Sequence, residues 1–185
     1  MFLLILGVAL WWAAHLFKRA APAQRASMGD SGRAAVAAGL VLSVILMVIG
    51  YRSAAYVHVW SPPLFLTHIN NLLMLIAVYL FVASGAQTRI TRGMRHPQLI
   101  AFKTWAFAHL LVNGDLASVI LFGGLLAWAV VQMIAINRAL RAGAPAHSAP
   151  WPIKGDIPAI IATIAVFAII ALIHMWIGPN PFGGA

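Results

Sequence analysis

Six apolar stretches, each close to the length of one bilayer crossing, divide this sequence and leave little charge for a water-facing surface. A crossing helix needs about 20 mostly apolar residues. The stretches run from about Phe2 to Phe17, Ala34 to Ile49, Leu64 to Ala83, Pro97 to Val112, Leu116 to Ile136 and Pro158 to Ile177. Charged residues make up 8% of the chain and hydrophobic ones 63%, where a soluble domain carries about 25% charged. Lipid is therefore the expected solvent. The pattern predicts an all-α fold: a polytopic membrane helix bundle of about six transmembrane helices, with residues 1–185 as a single domain.

Turn and breaker residues punctuate the stretches. Asn113-Gly114-Asp115 is a turn signal between helices four and five. Pro62-Pro63 opens helix three, and Pro158 falls in the first turn of helix six, where a missing N–H costs little. Residues 143–152 hold three prolines and read as a loop, and the Gly/Pro-rich tail from Gly178 to Ala185 reads as unstructured. The first stretch lacks a basic leader and a small-residue cleavage site, so it reads as a retained helix.

Charge placement supports the helix count. Lys18, Arg19, Arg25 and Arg33 follow helix one. Arg89, Arg92, Arg95 and Lys103 lie between helices three and four or just inside four, and Arg138, Arg141 and Lys154 lie between five and six. In a six-helix weave all of these share one side, and only Arg52 falls on the other. The positive-inside rule makes the basic side cytoplasmic. The expected location is a bacterial inner membrane, crossed several times, with both termini on the non-cytoplasmic side. The net charge of +9 thus reports topology, and nucleic acid is not expected as a partner. The lipid bilayer is, while the oligomeric state is left open.

Without cysteine, disulfides, iron–sulfur clusters, thiolate haem ligation and cysteine nucleophiles are excluded. No Gly-rich phosphate loop, HExxH motif or internal repeat is evident. Trp11, Trp12, Trp60, Trp105, Trp151 and Trp176 lie near helix ends, where interfacial anchoring accounts for most of them. The histidines are the chemically informative set. His58 and His147 fall in loops, and His96 precedes Pro97. His15, His68, His109 and His174 fall within apolar helices with no acidic residue in any helix interior to pair with. Ionisable groups at membrane depth mark functional sites. Singly, each reads equally well as a histidine hydrogen-bonded to a neighbouring helix. Together, two or more in one interior cavity is the better account. Neutral imidazole is the commonest metal ligand, and a histidine pair from two helices suits haem, whereas zinc needs three or four close ligands. Trp105, His109 and Asn113 share one face of helix four, His68, Asn71, Leu75 and Tyr79 one face of helix three, and Trp11 and Trp12 lie about one turn before His15.

Two segments carry a family resemblance: Arg92-Gly93-Met94-Arg95-His96-Pro97-Gln98, and Trp105-Ala106-Phe107-Ala108-His109-Leu110-Leu111-Val112-Asn113-Gly114-Asp115. With His15 and the His174-Met175-Trp176-Ile177-Gly178 ending, they make the chain resemble the NnrU family of transmembrane proteins over nearly its whole length. That family is linked to nitrite and nitric oxide reduction in denitrifying bacteria. The pattern is also similar to plant 15-cis-ζ-carotene isomerase, a haem b protein of plastid membranes. The resemblance implies haem b as cofactor, His15 and His109 as iron ligands, Trp105, Asn113 and Arg95 as further cofactor-binding residues, and His68 or His174 as alternative ligands. Arg19 and Arg92, like Arg95, could pair with haem propionates. The implied activity, if any, is isomerase-like on an apolar polyene, or redox or nitric-oxide-linked on a small molecule. The catalytic residues stay unknown. The isomerase has a functional cysteine three residues before its second ligand histidine; here that residue is Ala106.

Depth constrains the ligand pair. Counted from Pro97, His109 lies about 18 Å along helix four, which favours a cluster with His68 and His174. Counted from Lys103 snorkelling to the interface, it lies about 9 Å deep, which favours His15. Two other readings stay open. One is a non-catalytic accessory subunit for nitrogen-oxide respiration. The other is a membrane methyltransferase of the RHPxY type, for which Leu99 stands where the tyrosine belongs.

Overall fold

The computed structural model describes residues 1–86, 88–143 and 155–183. His147, Trp151, Lys154 and the expected loop beyond residue 143 lie outside the described residues. The protein is all-α, and among the described residues there is no strand, only an isolated antiparallel bridge between His58 and Asp115. Among the described residues, five helices are long and apolar enough to cross a bilayer: Phe2–Ala20, Gly29–Arg52, Leu66–Ala86, Leu116–Arg141 and Asp156–Ile177. Pro97–Val112 has 16 residues and Lys103 within it, so it spans about 24 Å. It is the shortest of the expected six. The described residues form two compact units, Met1–Ser61 with Gly114–Arg138, and Pro62–Asn113 with Ala139–Ala185.

In the first unit, α1 (Phe2–Ala20) and α3 (Gly29–Arg52) are joined by the short α2 (Pro22–Ser27). Lys18, Arg19, Arg25 and Arg33 gather at that end. Small residues let the two long helices approach. A Cβ added at Gly7 would sit 2.8 Å from the Met47 backbone nitrogen, and one at Gly50 would collide with the Leu4 backbone. Without a hydrophobic driving force between helices in lipid, such close backbone packing is what holds them together. Outward, Val41, Leu42, Val44, Ile45, Val48 and Ile49 are exposed, the composition of a lipid-facing surface.

The last helix of this unit starts at a polar knot. Asp115 caps α7 (Leu116–Ser118) by accepting from the Ser118 N–H at 2.9 Å, and its second oxygen accepts from Ser118 Oγ at 2.6 Å. Tyr51 OH lies 2.8 Å from the same Oγ. Gly114 O accepts from the N–H groups of Val59 (2.8 Å) and Trp60 (3.1 Å). Residues Val119–Gly123 then form a π-helical turn before α8 (Gly124–Arg141). Trp12 Nε1 donates to Gly124 O at 3.0 Å, and Val8 packs against Gly124 itself. Single π turns in helices are frequent at functional sites.

In the second unit, α4 (Leu66–Ala86) packs against α6 (Pro97–Val112) and α9 (Asp156–Ile177). A short α5 (Arg89–Arg92) turns the corner, capped by Thr88 and anchored through Thr91 Oγ1 donating to Ala83 O at 3.0 Å. Asp156 ties α9 to this corner: it accepts from the Arg89 N–H at 2.9 Å and pairs with Arg89 Nε at 3.2 Å. Gly155 meets the Ala86 backbone so closely that no side chain fits. At the far end the tail differs from expectation. Residues 178–183 are non-helical but folded: Asn180 accepts from the Phe182 N–H at 3.0 Å, and Asn71 Nδ2 donates to Pro181 O at 2.9 Å. An Asx turn and one half-buried partner thus order a Gly/Pro-rich stretch.

Candidate functional site

Each unit contains one of the two histidines implied as ligands, each in the same five-residue setting. Residues 11–15 read Trp-Trp-Ala-Ala-His and residues 105–109 read Trp-Ala-Phe-Ala-His, so Trp-x-x-Ala-His occurs twice. The four-residue spacing places Trp and His one above the other on a helix face. His15 Nδ1 is 3.0 Å from Trp11 O, and His109 Nδ1 is 2.9 Å from Trp105 O. A carbonyl oxygen only accepts, so in both rings Nδ1 bears the proton and Nε2 the lone pair. That is the tautomer an imidazole needs to bind a metal through Nε2, with its orientation fixed by the other nitrogen. His174 is held the same way, by Ile170 O at 3.0 Å.

The surroundings differ. His15 packs against two indoles, with ring centroids 4.2 Å from Trp11 and 4.4 Å from Trp128. The two indoles meet edge to face at 5.2 Å. Trp128 is buried in α8, and sequence reasoning passed over it. An aromatic mid-helix, away from any interface, was the available signal. The duplicated motif was likewise missed, because it is too short to register as a repeat.

In the second unit, the His109 ring lies 5.2 Å from Trp105 and 6.4 Å from His174. Beside them, a groove of about 410 Å³ runs between α4, α6 and α9, with an almost wholly apolar lining that includes Phe81, Phe102, Trp105 and His174. Asn113 closes α6 by donating from Nδ2 to His109 O at 2.8 Å, so its amide nitrogen is engaged in capping. His68 is exposed in the first turn of α4. Arg95 is exposed in the link between α5 and α6, and Arg19 near the end of α1. α6 begins at Pro97, which places His109 near its C-terminal end, next to His174. Among the described residues, no group of three or more His, Asp or Glu side chains could hold a metal ion. A bare multi-ligand ion thus has no cage there, while a group asking for only one or two imidazoles fits the donors present.

No curated protein and no solved structure matches the chain. The family model described as NnrU protein matches residues 3–181, nearly the whole sequence, and the chain belongs to the NnrU family.

Proposed function

We propose that this multi-pass membrane protein binds haem b, with the imidazoles of His15 and His109 as its iron ligands, and that it acts in redox or nitric-oxide-linked chemistry. One observation carries the reading: Trp-x-x-Ala-His occurs twice, each time with Nδ1 tied to the tryptophan carbonyl and the lone pair on Nε2. Haem, when bound by imidazoles, would supply one-electron chemistry whose potential the protein tunes through hydrogen bonds to those imidazoles and through burial. This chain's residues have separable tasks. Trp11 O and Trp105 O fix the tautomers. The Trp11 and Trp128 indoles restrict the His15 ring and keep water from it. Arg19, Arg92 and Arg95 are the basic side chains whose guanidinium groups suit propionates. Ala106 is fully buried and offers no thiolate, which favours redox or nitric oxide chemistry over polyene isomerisation. With the basic ends of both units taken as cytoplasmic, the location is a bacterial inner membrane with both termini outside.

The 6.4 Å approach of His109 and His174 within one unit favours a second reading, in which those two are the ligands. An absorption spectrum separates the two. Protein purified from haem-replete cells should show a Soret band and a b-type pyridine haemochrome. His15→Ala and His109→Ala should each abolish the native spectrum, and His174→Ala should retain it. Loss with His174→Ala and retention with His15→Ala would establish the second pair. Protein that stays colourless after haemin addition would overturn both.

A further inference from the structure

The helix that carries Trp128 is attached to the rest of the first unit at two places, and the π-helical turn Val119–Gly123 lies between them. The first attachment is to α3. There Ser118 Oγ lies 2.8 Å from Tyr51 OH, and the Tyr51 and Phe122 rings meet edge to face at 6.5 Å. The second is to α1. Gly124 O accepts from Trp12 Nε1 at 3.0 Å, and Trp128 reaches the His15 and Trp11 rings at 4.4 and 5.2 Å. Glycine makes this approach possible, since a Cβ at Gly124 would sit 2.8 Å from Val8 Cγ1. A π turn closes its bonds five residues apart instead of four, so it takes up one residue more than the α turn it replaces. An α-helix advances about 100° per residue. If the same residues closed as regular α-helix, everything beyond Gly123 would rotate by about 100° relative to Ser118. Trp128 would then leave His15 for as long as Ser118 stayed with Tyr51. π turns are rare, so one that persists is held from outside. The Asp115–Ser118–Tyr51 knot holds its start, and Trp12 holds its end.

We propose that Trp12 is a positioning residue for the His15 site: its N–H bond to Gly124 O keeps the extra residue in the π turn, and the π turn keeps Trp128 against His15. The importance of that site rests on the reading of His15 as an iron ligand; the register of the helix does not. Anchoring at the membrane interface, the role expected of Trp12 from its place near a helix end, needs no bond to a neighbouring backbone. The bond falls at the first residue after the π turn, where a hold on the main chain selects between the two registers. Trp12 thus acts on the imidazole through Trp128, four residues beyond Gly124. In the α register the imidazole loses one of the two indoles packed against it and is less enclosed.

The test uses the full-length chain in detergent, without haem, and reads the Trp11–Trp128 pair directly. Two indoles this close couple as excitons and give a band pair of opposite sign in circular dichroism. The couplet is taken, in every background, as the difference that Trp128→Phe makes. The unmodified protein should show it, and a Trp11→Phe background should lack it. Trp12→Phe keeps a ring but loses the N–H, and should weaken the couplet by at least half. Deleting Ile120 removes the extra residue, so a regular α-helix then presents Ser118 and Trp128 to the same partners. That deletion should keep the couplet, and combined with Trp12→Phe it should restore it. A merely structural loss at Trp12 is not repaired by taking out a residue elsewhere. A full couplet in Trp12→Phe, or no restoration by the deletion, would overturn the proposal. If Trp12→Phe does not yield monodisperse protein, the combined variant decides: a folded double variant with the couplet supports the proposal, and one without it, or an equally unfolded one, overturns it. Absorption spectra of haem-loaded samples test the ligand reading separately. A colourless unmodified protein would sink that reading and leave the couplet result standing.

Discussion

The His15 and His109 clusters begin from the same five-residue pattern and end in different environments. In the first unit the imidazole packs against two indoles that also touch each other, with ring centroids 4.2 and 4.4 Å away. In the second it has one indole at 5.2 Å, a second imidazole at 6.4 Å and an apolar groove alongside. The backbone carbonyl four residues earlier sets the tautomer, because that hydrogen bond is local to the helix. It does not set the neighbours, which come from helices far away in sequence: Trp128 from α8, His174 from α9. Local chemistry is thus duplicated while access is not. The first cluster holds its imidazole against two indoles, and the second leaves an apolar groove beside it.

Backbone packing offers the largest test of this contrast. Gly50 in α3 abuts the Leu4 backbone, whereas a Cβ at Gly85 in α4 would meet nothing within 4 Å. Gly50→Ala should lose about 3 kcal/mol, because backbone cannot yield as a side-chain tip can. Gly85→Ala should be neutral or stabilising by up to about 1 kcal/mol through helix propensity. Thermal unfolding in detergent measures both. Equal effects would erase the distinction between the tight α1–α3 seam at Gly50 and the open face of α4 at Gly85.

Removing an aromatic from each cluster comes next. Trp128 is 5% exposed, and Trp128→Ala should cost about 3 kcal/mol or more. Phe102, half-buried on the groove wall, should cost less, about 1–2 kcal/mol as alanine, since the groove already provides empty volume next to it. If Phe102→Ala proved the more costly, the groove would be closed in solution and the comparison would fail.

How much of this was legible beforehand follows from the same split between local and distant. The bounds of α6 were read to the residue, because Pro97 fixes its first turn and Asn113-Gly114-Asp115 ends it. Those signals act within one turn of helix. α1 and α3 run further than expected, to Ala20 and back to Gly29. Hydropathy marks where lipid begins, and nothing obliges a helix to stop there; Arg33 and Asp30, paired at 3.0 Å, are simply the water-exposed turns of α3. The histidines stood out as costly residues in apolar stretches, while their tautomers follow from the Nδ1 hydrogen bonds seen in the structure. The role of Trp128, the π-helical turn at Val119–Gly123 and an unpaired Asn70 oxygen were not legible. Each depends on which helix packs against which, and an asparagine beside another asparagine gives no sign of which amide lacks a partner.

A middle-sized effect is expected at the polar knot of the first unit. Ser118 is fully buried and joins Asp115 to Tyr51. Ser118→Ala removes the bond to the Asp115 carboxylate and leaves the Tyr51 hydroxyl without that partner, for an expected loss of about 2 kcal/mol. Asn113→Ala, which removes one capping bond at the end of α6 in the second unit, should cost no more than about 1 kcal/mol. Unfolding midpoints of the two variants, measured side by side, check the order. A reversal would mean that the α6 end, not the knot, is the more strongly held of the two.

The smallest effect concerns two ion pairs among the described residues, Arg33–Asp30 in the first unit and Arg89–Asp156 in the second. Arg33–Asp30 is an i,i+3 pair with both side chains at least 80% exposed, whereas Arg89–Asp156 has its carboxylate 34% exposed. Asp156 also accepts the Arg89 backbone N–H and stands in the first turn of α9, where a negative charge is favoured by the helix dipole. Asp156→Asn keeps an acceptor for the N–H but loses the charge, so it should cost about 0.5–1 kcal/mol at low salt. Asp30→Asn should change nothing measurable, because water already screens that pair. Raising the salt to about 1 M shortens the screening length to about 3 Å, so the Asp156→Asn penalty should shrink while the hydrogen bond persists. A penalty that ignored salt would assign the α4–α9 corner to that hydrogen bond alone. The second unit would then be held at its basic end by backbone capping, as the first is held by backbone packing.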